Sequence, residues 1–290
     1  MAAKQYQGIA LAALIGLWAA AAAMAQSAPE AGAQTSSYRG PRIGKHPDLS
    51  GVWQVMNTAE YNIEAHGASA ALQMRPGPVV PVPAKEVLAL GAVGSVPPGL
   101  SIVEGGTIPY KPEALKQRNE NKADWIHRDP EIKCFLPGVP RANYMPLPFQ
   151  ILQSDNSMMI TYEYDNAVRN LLFKDPGPAP FDSWMGQSVA HWEGDTLVVV
   201  VSGMNDSTWF DRAGNFHSAD MKVVERWTPT GAGLMRYEAE ISDPNTFTRP
   251  WKIGMNLYKH VGEDARLLQF NCVEFVEELM YGSLRKHPLD

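Results

Sequence analysis

The chain has 290 residues and a net charge of −6, with both signs mixed along its length and two cysteines. No basic stripe accompanies that balance, so a nucleic-acid partner is not expected. Beyond an apolar N-terminus no stretch approaches the roughly 20 residues of a membrane span, so no stable span is expected in the mature chain.

Lys4 precedes an apolar run from Ile9 to Ala23, and Ala23-Met24-Ala25 has the small-x-small form of a cleavage site. Residues 1–25 therefore read as a secretory signal peptide cut before Gln26, with an uncleaved anchor as the alternative, and the location reads as periplasmic. Residues 26–47 are rich in Ala, Gly, Ser and Pro and read as a disordered linker. The rest, 48–290, is long enough for one sizeable core and is expected to be a single domain.

Asp48-Leu49-Ser50-Gly51-Val52-Trp53-Gln54-Val55 reads as a turn entering a first strand. Residues 75–109 are crowded with Pro and Gly, which rules out long elements and leaves at most a short helix at Ala84–Leu90. This insertion is expected to lie over the domain, with a solvated loop as the alternative. A surface helix starts at Pro112, with Pro near the first helical position, runs through Trp125 and stops at Asp129-Pro130. From Glu131 to Pro146 the prolines at 137, 140 and 146 hold the chain extended, presenting Arg141 and Tyr144 beside Cys134.

From Phe149 the pattern turns period-two. Strands are expected at Phe149–Gln153, Met158–Tyr164 and Ala167–Phe173, with hairpin turns at Asp155-Asn156-Ser157 and Asp165-Asn166. Further strands are expected at Thr196–Val201, Met221–Thr228, Leu234–Ile241, Trp251–Leu257 and Arg266–Cys272, followed by a short C-terminal helix at Val273–Tyr281. About nine sequential strands with no helices between them predict a mainly β protein: one antiparallel up-and-down barrel, closed because closure removes the edges. Glu163, Arg169 and Glu225 share strand faces with apolar residues, the pattern of a lined cavity rather than a solid core.

The richest stretch is Asp182–Asp220, where a Trp- and Gly-containing turn and a β-branched strand lead into Asn205–His217. That segment has too many turn formers for a strand and concentrates carboxylates, an Arg, a His and aromatic rings.

Five motifs carry a resemblance: Asp48–Trp53 (D-L-S-G-x-W), Glu131–Arg141 (E-I-K-C-x-x-P-G-V-P-R), Trp192–Val199 (W-x-G-D-T-L-V-V), Thr208–His217 (T-W-F-D-x-x-G-N-F-H) and Cys272–Glu278 (C-x-E-F-x-E-E). With these the chain resembles a family of exported bacterial proteins of unestablished function, over nearly the whole mature length. Its architecture is similar to calycin (lipocalin-like) barrels. Among such barrels some carry lipophilic ligands, and others, such as phenolic acid decarboxylases, allene oxide cyclase and dirigent-type proteins, perform lyase or cyclase chemistry without a cofactor. The second comparison is a fold analogy and does not fix function.

Cys134 and Cys272 are either one disulfide or two buried thiols, and export favours the disulfide. His217 is the expected general acid or base, because its ordinary pKa lies near neutrality and Asp206 and Asp211 sit on the same loop. Glu163, if inward-facing, would gain a raised pKa and shuttle protons. Arg141 and Arg249 are expected to hold a developing negative charge, Tyr144 and Tyr162 to polarise a carbonyl or phenol, and Trp184, Trp209, Phe210 and Phe216 to wall the site. The chain has no G-x-S-x-G elbow, H-E-x-x-H, P-loop or dinucleotide fingerprint, so neither cofactor nor metal is expected. A metal gathered from distant residues, such as His217, Asp211 and Glu163, is the alternative. The expected function is a periplasmic, cofactor-independent lyase or isomerase acting on a small aromatic or phenolic molecule; a non-catalytic carrier of a lipophilic small molecule is the alternative.

Overall fold

The computed structural model describes residues 38–70 and 95–276. The expected signal peptide, the start of the linker, the short helix at Ala84–Leu90 and all but the first residues of the C-terminal helix lie outside the described residues. Inside the stretch expected as linker, Arg42–Ile43 pairs antiparallel with His46–Pro47, and Arg42 forms an ion pair with Asp195 at 2.8 Å.

The core is a closed barrel of nine strands: β1 (Gly51–Val55), β2 (Phe149–Gln153), β3 (Met158–Tyr162), β4 (Val168–Leu172), β5 (Gln187–Glu193), β6 (Thr196–Ser202), β7 (Lys222–Gly231), β8 (Leu234–Ser242) and β9 (Trp251–Lys259). Neighbours in the chain are neighbours around the barrel, and β9 closes onto β1 with Leu257 opposite Val55. Alternating inward residues, such as Met235, Tyr237, Ala239 and Ile241 on β8, are buried, as period-two patterning requires.

Three expectations need correction. The barrel is mixed rather than antiparallel throughout: β4 and β5 run parallel, with Leu171 opposite Ser188. An odd number of strands cannot alternate direction all the way round a closed ring, so one adjacent pair must be parallel. Residues 173–186 supply the long return that a parallel pair needs. Second, Arg266–Cys272 is not a strand, because closure of β9 on β1 leaves no edge for a later segment to join; the strand that completes the nine is β5, for which no strand was expected. Third, the expected cavity inside the barrel is a packed core. The apolar inward side chains form one continuous cluster, and the polar ones among them bond to one another.

The Asp165-Asn166 turn forms as expected, with φ of 48° and 51° at its two central residues, the type I′ geometry that matches strand twist. The helix divides into α1 (Pro112–Ala123) and α2 (Trp125–Arg128), because Asp124 leaves the helical region at φ −130°. Of the insertion, residues 102–104 lie beside the upper half of β9. Gly254 N donates to Ile102 O and Glu104 N to Lys252 O, taking the bonds that the shorter β1 does not reach. The tight hairpins at 153–158, 193–196 and 231–234 share one end of the barrel. The described parts of the connection between β1 and β2, with 203–221 and 243–250, leave from the other, the arrangement in which a rigid scaffold presents loops.

Candidate functional site: the loop end of the barrel

The loop after β6 is held from within. Asp211 is fully buried; its carboxylate accepts from Ile63 N (2.9 Å), Ala213 N (2.9 Å) and the Asn215 side chain (2.6 Å). Burial pushes its pKa up to about 6 despite those bonds. Gly214 has a φ of +83°, and a Cβ there would lie 2.6 Å from Lys122 N and 2.7 Å from Arg118 O, so only glycine lets α1 sit on this turn. The proline-rich segment packs against the same loop, with the Tyr144 hydroxyl donating to Phe210 O at 2.8 Å.

Between the two segments lies a charge cluster. Arg141 donates to Glu60 (2.7 and 3.2 Å) and to Asp129 (2.9 and 3.1 Å), and all three are buried. Arg212 donates to Glu131 at 3.0 Å, and its Nε stands 3.7 Å from Glu60. Burial pushes the Glu60 carboxyl up to about 7; Arg141 pulls it down and Glu131 raises it further. Three carboxylates thus surround two guanidinium groups.

Below it, inside the barrel, a second network closes. Glu225 accepts from Asn143 (2.9 Å), Tyr237 (2.8 Å) and Arg169, whose Nε donates to Ser188 at 2.7 Å. Asn143 accepts from the Tyr162 hydroxyl at 2.9 Å. Burial raises Tyr162 to about 12, so it is a hydrogen-bond donor at neutral pH and not a phenolate. Asn143, on a 3-10 turn at Arg141–Tyr144, is thus the plug between loop end and core.

The other residues singled out in the sequence are dispersed. His217 is buried, with Nδ1–H donating to Ser218 O (2.9 Å) and Nε2 accepting from the Thr208 hydroxyl (2.6 Å). Burial lowers its pKa, so the ring is neutral. The Thr208–His217 spacing is that of a hydroxyl and a general base, yet both are at most 2 % exposed, which leaves no approach for a substrate. Asp206 is exposed, and neither it nor Asp211 bonds to the ring. Glu163 lies outside the barrel, where it accepts from Leu268 N at 2.8 Å and holds the C-terminal segment. Arg249 is exposed and donates to Pro250 O. Trp184 packs on Phe135, and Phe216 on Tyr110. Trp209 is buried and pairs by its backbone with Phe216. Cys134 and Cys272 form the disulfide across a separation of 138 residues. Among the described residues no three His, Cys, Asp or Glu side chains converge as metal ligands.

One cleft opens beside the charge cluster. It measures about 210 Å³ and is lined by Tyr61, Asn62, His66, Lys122, Trp125 and Arg212 among others. The Arg212 guanidinium lies between two rings, 5.8 Å from Tyr61 and 5.6 Å from Trp125. Among the described residues no carboxylate lines the cleft, while an Arg, a Lys and a His do. Of these residues only Lys122 and Trp125, on the expected helix, and Arg212, in the Thr208–His217 motif, fall within a pattern in the sequence. Glu60-Tyr61-Asn62 has no periodicity and no motif to mark it. An acid immediately before an aromatic, two residues before an apolar Ile63, is the one signal that was there to find. Comparison of the chain with family models, with curated proteins and with solved structures finds no match in any of the three, so the family resemblance rests on the five motifs alone.

Proposed function

We propose that the protein binds a small anionic aromatic molecule in the cleft at the loop end of the barrel, without turning it over. The observation that carries this reading is the described lining, in which Lys122 stands beside Trp125 with Tyr61, His66 and Arg212 around them and no acidic side chain among the described residues. The Lys122 ammonium attracts a carboxylate, and the ring faces stack on an arene. The volume of about 210 Å³ is below the usual range for drug-sized ligands, which points to single-ring compounds. Periplasmic location is part of the same proposal; it is supported by the N-terminal sequence and by the Cys134–Cys272 disulfide, which belongs to oxidising compartments. Lyase or isomerase chemistry through His217 is the second reading, supported by the 2.6 Å contact between Thr208 and His217.

The test uses residues 26–290 with benzoate, 4-hydroxybenzoate and the neutral benzyl alcohol, by titration calorimetry and mass spectrometry. The expected result is binding of the two carboxylates at a Kd of roughly 0.1–1 mM, as ligands this small allow. Benzyl alcohol is expected to bind at least tenfold more weakly, Lys122→Glu and Trp125→Ala to weaken carboxylate binding, and no product to form. Equal binding of the neutral analogue would overturn the anionic assignment. Product that is lost in His217→Ala would replace the carrier with the enzyme.

A further inference from the structure

The outer wall of the barrel is divided in two. Outward positions alternate with the buried ones along each strand, and on a wall that faces water they are expected to be polar or charged. β7, β8 and β9 follow that rule, with Lys222, Arg226, Arg236, Glu238, Glu240 and Lys252 facing out. β2, β3 and β4 do not. Gln150 and Leu152 face out from β2, Met159 and Thr161 from β3, and Val168, Asn170 and Leu172 from β4, and none of them is charged. The register joins them into one face: Leu152 stands opposite Met159, Met159 opposite Asn170, and Thr161 opposite Val168. Leu152, Met159 and Val168 are exposed, and the return from β4 to β5 adds the exposed Phe173 and Phe181. A contiguous apolar face with a polar rim is the mark of an interaction surface.

We propose that two copies of the chain meet on this wall as a reversible dimer, about a two-fold axis that passes close to Asn170. Across such an axis each group meets its own copy or that of a near neighbour, so a face suits the role only if its groups complement themselves. Apolar side chains do. So do amides and hydroxyls, which donate and accept at once, and these are the polar groups of the wall: Gln150, Thr161 and Asn170. Charges do not, and the β7–β9 side of the barrel would set like charge against like. Asn170 has Val168 and Leu172 on either side of it along β4 and Met159 beside it on β3, so two Asn170 amides at the axis can exchange a pair of hydrogen bonds inside an apolar ring. A lipid surface fits less well. It would strand those amides, and no outward residue of these three strands is a Lys, Arg or Trp that could hold headgroups. At about 4.8 Å between strands and about 3.3 Å per residue, three five-residue strands cover roughly 250 Å² in projection. With Phe173 and Phe181 added, the contact stays at the small end of protein interfaces, the range of reversible association.

Sedimentation equilibrium of the protein, residues 26–290, at low ionic strength and from about 2 to about 200 μM tests the dimer. The expected result is a monomer–dimer equilibrium with a dissociation constant of roughly 10–100 μM. Asn170→Asp and Asn170→Lys each set like charges against one another at the axis, and each is expected to weaken the dimer by about tenfold or more. An equimolar mixture of the two variants is expected to restore it, since Asp then meets Lys; a contact through any other face would show no such rescue. Residue 170 is exposed, so neither change touches the core, and a melting curve for each variant checks that it folds. Wild-type protein that stays monomeric at every concentration would overturn the proposal even if a variant failed to fold. So would a dimer that both single variants leave intact, or a mixture that stays monomeric. Monomeric protein that floats with phosphatidylcholine vesicles would overturn it as well and give the wall to lipid.

Discussion

Replacing Arg141 with Leu tests the loop end of the barrel most directly. Arg141 supplies four hydrogen bonds of 2.7–3.2 Å to Glu60 and Asp129, and its side chain is 1 % exposed. In Arg141→Leu those two carboxylates stay buried, with Arg212 as the nearest cation to Glu60. Breaking a buried pair on one side costs about 3–5 kcal/mol, because the remaining charge is stranded. For a domain of this length each 1 kcal/mol moves the melting temperature by about 2–4 °C, so a fall of roughly 6–20 °C is expected. The loss is also pH-dependent. Without the guanidinium the carboxyl groups have folded-state pKa values above their unfolded ones, so folding favours their protonated forms and the deficit is smaller at pH 5 than at pH 8. Arg141→Lys is expected to fall between, since one ammonium cannot pair both carboxylates in the bidentate way. Urea unfolding followed by tryptophan fluorescence at both pH values measures all three proteins. A loss below about 1 kcal/mol at pH 8, or the same loss at both pH values, would refute the reasoning that Arg141 is spent on stability.

Two further outcomes are expected. Removing the crosslink with Cys134→Ser and Cys272→Ser frees a loop of 138 residues' separation, worth about 5 kcal/mol in the chain-entropy model. Urea titration of the variant beside the oxidised protein measures it, and an unchanged midpoint would show that the docked segment holds itself by the Glu163–Leu268 bond and the Tyr164–Phe270 contact. Glu60, raised from 4.5 to about 7 by burial, contributes stability that is full below its unfolded value and is lost as pH rises through about 7. His217 runs the other way, since burial lowers its pKa from 6.5, but its effect ends near that value. Between pH 6.5 and pH 8 the wild-type midpoint is therefore expected to fall relative to that of Glu60→Gln; parallel curves would remove Glu60 from the titration.

Several features follow from local sequence alone. Period-two burial on β2, β3, β7, β8 and β9, the type I′ turn at Asp165-Asn166 and the start of α1 at Pro112 are properties of a few adjacent residues. Two cysteines allow one pairing, and that pairing is present. Gln187–Glu193 was hidden because its polar residues and His191 weaken the alternation, and it pairs with β4 only through a long return. Tertiary structure alone decided which charges meet. Arg169 and Glu225 are 56 residues apart, and Arg141 and Glu60 are 81 apart. Nothing in either neighbourhood names the partner, so Arg169 and Glu225, polar residues on apolar faces, read as a cavity lining when they are the two halves of a buried pair. Alternation specifies which face a side chain occupies, over a distance of two residues. What it meets there depends on how nine strands close and which loops fold over the end, and that is set by contacts across the whole chain.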